Sequence, residues 1–123
     1  MTTSLRTVCA FALLVLASMP APADDIVIAD FEEAGYDGWS IDGTAFGEQP
    51  ARGRLPGQQE VIGHLGERLA NSFHSGDSTT GTLTSAPFKL THPYVSFLIA
   101  GGNHEGETGI ELLVDGKVLR SAT

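Results

Sequence analysis

Glycine and proline break this chain into short segments, and that punctuation constrains its fold more than any other feature. Residues 33–38 (EAGYDG) close a first apolar run, and residues 43–66 hold Gly, Pro and Gln throughout. A helix needs a longer uninterrupted amphipathic stretch than these intervals leave, whereas a strand fits between them. The composition points the same way. With 15 Gly, 6 Pro and 18% charged residues, the chain is neither a coiled coil nor an ordinary helical bundle. Its 41% hydrophobic content is enough for a packed core.

The segments between the breaks have strand character. Residues 26–31 (IVIADF) are β-branched and apolar on both faces, which predicts a well-covered first strand. Residues 39–42 alternate, 43–66 form a long ordered loop with one short strand at 59–62, and 68–73 resume the strand pattern with Leu69 and Phe73 inward. Residues 81–85 and 88–90 flank the Ala86-Pro87 break, and 94–100 (YVSFLIA) are the most apolar run and the expected central strand. Asp115-Gly116, a preferred type I′ pair, predicts a hairpin between 110–114 and 117–122. That register sets Leu112 opposite Leu119, Leu113 opposite Val118 and Glu111 opposite Arg120. About seven short strands and no amphipathic helix predict an all-β fold, an antiparallel β-sandwich of jelly-roll type. The chain is still strand-like at Thr123, so the sandwich is expected to lack its last strand or strands.

The first 23 residues read as a secretory signal peptide. Arg6 supplies the positive start, residues 8–17 (VCAFALLVLA) the apolar run, and Ala21-Pro22-Ala23 the small residues before a cleavage site ahead of Asp24. Ten apolar residues fall well short of the ~20 needed to span a bilayer, so no membrane span is expected after cleavage. Residues 24–123 then form one domain, secreted or periplasmic, of a kind that suits a bacterial exported protein. Cys9 is the only cysteine and lies in the leader, so disulfides, thiolate catalysis and cysteine-ligated metals are excluded from the mature domain. Without Arg6 the domain carries 6 basic against 15 acidic residues, or −9, a surface that repels phosphate backbones and excludes nucleic acid as a partner.

Four side-chain groupings bear on chemistry. Ser72, His74 and Asp77 suggest a hydrolase, but they lie on one polar strand end running into a turn, with no nucleophile elbow. The four histidines, His64, His74, His92 and His104, show no zinc spacing. Structural calcium on Asp30, Glu32 and Asp115 is the more plausible metal, although no calcium-loop spacing is present. Sugar binding needs an aromatic face flanked by polar groups: Trp39 and Tyr36 offer rings, and Asn103, His104 and Glu105 offer the polar groups. A lone tryptophan in a sandwich is more often core than platform. The glycine-rich loop 101–109 (GGNHEGETG) suits either the docking of another domain or a plain exposed connection. The candidate ligand-binding set is therefore Trp39, His74, Asp77, Asn103, His104 and Glu105, with no catalytic residue and no cofactor.

Four runs, in order, resemble a known region: residues 25–32 (DIVIADFE), 36–47 (YDGWSIDGTAFG), 71–88 (NSFHSGDSTTGTLTSAPF) and 94–123 (YVSFLIAGGNHEGETGIELLVDGKVLRSAT). They are similar to the N-terminal β-sandwich of secreted bacterial proteins of glycoside hydrolase family 32, the levanase-like or fructan β-fructosidases. The resemblance implies a larger parent, with a five-bladed propeller that hydrolyses β-fructosides in levan, inulin or sucrose with retention. Its nucleophile, stabiliser and acid/base motifs are absent: there is no Asn-Asp-Pro, no Arg-Asp-Pro, and no cysteine beyond position 9. Retaining chemistry needs two carboxyls ~5–5.5 Å apart across a sugar pocket, and no such pair can be named. The expected role is an accessory module that packs on the catalytic domain of the same parent chain or holds polysaccharide near it. The alternative is a stand-alone secreted sugar-binding or adhesion sandwich.

Overall fold

The computed structural model describes residues 24–101 and 103–123, and the leader expected at 1–23 lies outside them. Four strands form: β1 (Trp39–Gly43), β2 (Gly81–Ser85), β3 (Ile110–Val114) and β4 (Lys117–Ala122). They make two antiparallel two-stranded sheets, β1–β2 and β3–β4, so the described residues are all-β.

β1 starts where a tight turn ends. The Trp39 N–H donates to the Tyr36 carbonyl at 3.0 Å, with Gly38 at φ 79° in the position where such a turn needs a left-handed residue. Trp39 pairs with Ser85, Ile41 with Leu83 and Gly43 with Gly81. The strand stops at Gly43, at φ 75°, where a side chain would run into the Thr80 carbonyl. Past that point Thr44 and Ala45 both donate their N–H groups to that same oxygen, at 2.9 and 3.2 Å.

The loop between β1 and β2 is ordered by its own polar groups. Ala51 and Leu69 exchange both backbone hydrogen bonds, at 2.9 and 3.0 Å, as an isolated bridge. Asn71, 5% exposed, is the hub. Its Nδ2 donates to Gln58 Oε1 (2.8 Å) and to the Gly53 carbonyl (3.3 Å), while its Oδ1 accepts from Gln58 Nε2 and the Phe73 N–H, both at 3.0 Å. Every hydrogen-bonding site of that buried amide group is thereby engaged, as burial of a polar side chain demands. Tyr36, Ala45 and fully buried Pro50 pack here, so the core lies beneath this loop rather than between two sheets.

In the hairpin, Asp115 (φ 51°) and Gly116 (φ 73°) both take the positive φ of a type I′ turn, as the pair predicts. Val114 faces Lys117 and Leu113 faces Val118, but a bulge follows. Leu112 then pairs with Arg120, not Leu119, and Glu111 pairs with Ser121, not Arg120. The extra residue, Leu119, corrects the regular register, because one insertion moves every later β4 residue by one position.

The structure also departs from the expected seven strands. Residues 26–31, 59–62, 88–90 and 94–100 form no ladder, and of 68–73 only Leu69 makes a bridge. Val27 is 74% exposed and Tyr94 84%. The reason is physical: an apolar run becomes a strand only when another strand takes its N–H and C=O groups, and among the described residues none lies alongside these.

Candidate functional site

The turn that launches β1 also builds a cleft. Phe31 sits edge-on to Tyr36, with ring centroids 6.0 Å apart at 76°, and tilted against Trp39 at 5.3 Å and 49°. These three rings, with residues 28–30, Glu33, Gly35 and Asp37, line a cleft of about 150 Å³. Tyr36 is the buried member; its hydroxyl donates to the Phe46 carbonyl at 3.3 Å. Burial pushes the Tyr36 phenol up from its ordinary pKa, and a backbone hydrogen bond from Asn71 partly opposes that rise. The carboxylates of Asp30, Glu33 and Asp37 belong to exposed residues at the rim.

Phe31 holds its place at a conformational cost. Its φ is 59°, a left-handed value that is uncommon for a bulky side chain. The next residue secures it: the Glu32 carboxylate accepts the N–H groups of Glu67 (2.9 Å) and Arg68 (3.0 Å). Gly66, at φ 76°, allows that approach, since a Cβ there would collide with the Glu32 carboxylate. The aromatic cleft is thus tied to the loop beyond it across more than thirty positions of chain.

The residues singled out from the sequence do not converge. Trp39 lines the aromatic cleft. His74 lines a second cleft of about 280 Å³ with Leu55, Pro56, Phe73 and Ser75, and its ring covers Gly47, where a Cβ would come 2.8 Å from Nδ1. Asp77 is exposed in the turn that Thr79 closes, its hydroxyl 2.8 Å from the His74 carbonyl. Asn103 (φ 51°), His104 and Glu105 sit in a separate loop and line neither cleft. There the His104 carbonyl accepts the N–H groups of Glu107 and Thr108.

The supposed calcium donors are likewise apart. Asp30 accepts the Glu32 N–H at 3.1 Å, Glu32 is bound to the 67–68 backbone, and Asp115 is in the β3–β4 turn. Among the described residues no three His, Cys, Asp or Glu side chains come together as a metal site.

Sequence reasoning found the rings of Trp39 and Tyr36 but not Phe31, which reads as the end of the first strand. Nor did it find Asn71, Gln58 or the Glu32 clamp. Asn71 lies inside the strand pattern at 68–73, with no local signal to mark it as a hub. The acids at Asp30, Glu33 and Asp37, in and beside the turn cluster, are the available signal for the cleft rim.

Comparison with known proteins adds one relative. Over 105 residues the chain is 43% identical to "Putative glycosyl hydrolase ecdE" of Aspergillus rugulosus. The match takes in 83% of this chain and 15% of that protein, so the chain spans about 15% of the relative's length. No family model matches, and no solved structure matches. The described residues are therefore all-β, and the chain has a homologue in a much larger fungal protein named as a glycosyl hydrolase. No helix among the described residues is long and apolar enough to cross a membrane.

Proposed function

We propose that this chain is a non-catalytic β-sandwich module of a larger exported glycoside hydrolase of the family 32 type. Its C-terminal half seats against the catalytic domain of the same parent chain. One observation carries the reading. Among the described residues eighteen large apolar side chains are exposed, and twelve of them fall between positions 88 and 119. Two-stranded sheets are marginal in water, and an apolar surface of this extent marks a contact face. A parent built around a much longer sequence, as in the fungal relative, supplies the body that would cover it. The chemistry belongs to that parent: cleavage of β-fructosidic bonds in levan, inulin or sucrose. Residues 94–100 complete the sandwich by pairing when the parent is whole, and residues 1–23 direct export.

Hydrogen exchange on this chain and on its full-length parent tests the packing. Amides of 94–100 and of β3–β4 are expected to exchange freely in the chain alone and to be protected in the parent. Equal exchange in both would remove the contact face. Fructose release from levan, inulin and sucrose by the parent, and none by the chain, is the accompanying expectation for activity.

A further inference from the structure

We propose that the cleft formed by Phe31, Tyr36 and Trp39 is a binding site for one residue of a neutral oligosaccharide. Its rim acceptors are Asp30, Glu33 and Asp37. The cleft, at about 150 Å³, is on the scale of a single pyranose or furanose ring. Its lining pairs the two chemistries that such a ring presents. Aromatic rings receive the apolar C–H face, and ionised carboxylates, which only accept, take the hydroxyl protons.

Three further observations support the assignment. Trp39 is half-buried in the cleft lining rather than sealed in the core, and Phe31 beside it is held in an unusual left-handed conformation. Glu32, the next residue, does not line the cleft and anchors this segment through backbone N–H groups of the distant loop. Finally, the three rim carboxylates, with no basic residue lining the cleft, disfavour uronates and phosphorylated sugars by like-charge repulsion. Phe31 and the Asp30–Glu33–Asp37 rim, rather than Asn103, His104 and Glu105, are thus the partners of Trp39.

The site rests on the module reading only in its preference for fructans among neutral sugars. Trp39 is the single tryptophan of the chain, so its fluorescence reports occupancy of this cleft directly. The 123-residue chain is titrated with inulin oligosaccharides, cello-oligosaccharides and oligogalacturonate. A saturable change with inulin oligosaccharides, with Kd on the order of 1 mM, is the expected result. Glu33→Gln should weaken it about tenfold by calorimetry, and oligogalacturonate should bind at least that much more weakly. Trp39→Phe, which keeps a ring in place, should retain measurable binding in the calorimeter while abolishing the fluorescence signal. Binding of cello-oligosaccharides in place of inulin would uphold the cleft and overturn the fructan assignment of the parent. No saturable response to either neutral series, or equal binding of oligogalacturonate, would overturn the cleft itself. Fructose release by the parent without any response here would leave the module reading standing and remove the site.

Discussion

The two halves of this molecule solve the burial problem differently. From Phe31 to Ala86, a loop with little regular structure is held by hydrogen bonds between distant residues: Glu32 to Glu67 and Arg68, Ala51 to Leu69, Gln58 to Asn71, and Ala86 to Gly38. Beyond it, the β3–β4 hairpin has regular pairing and the better local code, yet Leu113, Val118 and Leu119 stay about half exposed. Regular secondary structure and a finished interior are separate achievements. Polar side chains that are fully paired can order a loop, whereas a correct hairpin still needs something to lie on.

The sharpest way to break the contrast is through Asn71. Asn71→Ala leaves Gln58, the Gly53 carbonyl and the Phe73 N–H without their partner, and is expected to cost about 2–4 kcal/mol in urea unfolding. A loss below about 1 kcal/mol would mean that the loop is held by something other than its polar hub.

Glycines at similar φ angles give a cleaner comparison. Gly43→Ala meets both left-handed strain and the Thr80 carbonyl, and about 2–3 kcal/mol is expected. Gly116→Ala, at φ 73° with nothing nearby, should cost only the strain, about 1 kcal/mol. Equal losses in thermal unfolding would place the two turns in equivalent surroundings.

Tyr36 provides a smaller test with a definite pH signature. Its phenol is raised above the ordinary 10.0 by burial, so the unfolded chain loses that proton first. Stability from this group is complete below pH 10 and falls as pH rises from there through the folded value. Tyr36→Phe should lose about 1 kcal/mol at neutral pH, with its bond to Phe46, and should flatten the alkaline decline. Urea midpoints between pH 7 and about 11 measure both, and an unchanged alkaline limb would contradict the burial.

The smallest effect is expected at Glu111 and Arg120. Because the bulge separates them, a double-mutant cycle should return coupling near zero, well under about 0.5 kcal/mol. Measurable attraction would restore the unbulged register.

What the sequence made legible was local. Asp115-Gly116 specified its turn, and the alternation at 39–42 and the strand expected at 81–85 matched β1 and β2 within a residue. The bulge at Leu119 escaped because the pairing of apolar with apolar and of Glu111 with Arg120 favoured the regular alternative. Residues 94–100 carry the apolar pattern of a buried strand, yet no strand among the described residues pairs with them. At the site, Trp39 and Tyr36 were visible as rings near a turn. Phe31 was not, because its left-handed backbone is set by the Glu32 clamp and by packing, not by its own preference.

The spacing of the paired strands also sets an order of events. β3 and β4 are joined by two residues, whereas β1 and β2 meet only when residues 44–80 have closed behind them. Hairpins form in about 1–10 μs, while closure of a long loop is slowed by the entropy surrendered before any contact rewards it. The hairpin therefore forms early and waits with its apolar side uncovered. That interval is when its uncovered apolar side is most open to association with another unfolded chain.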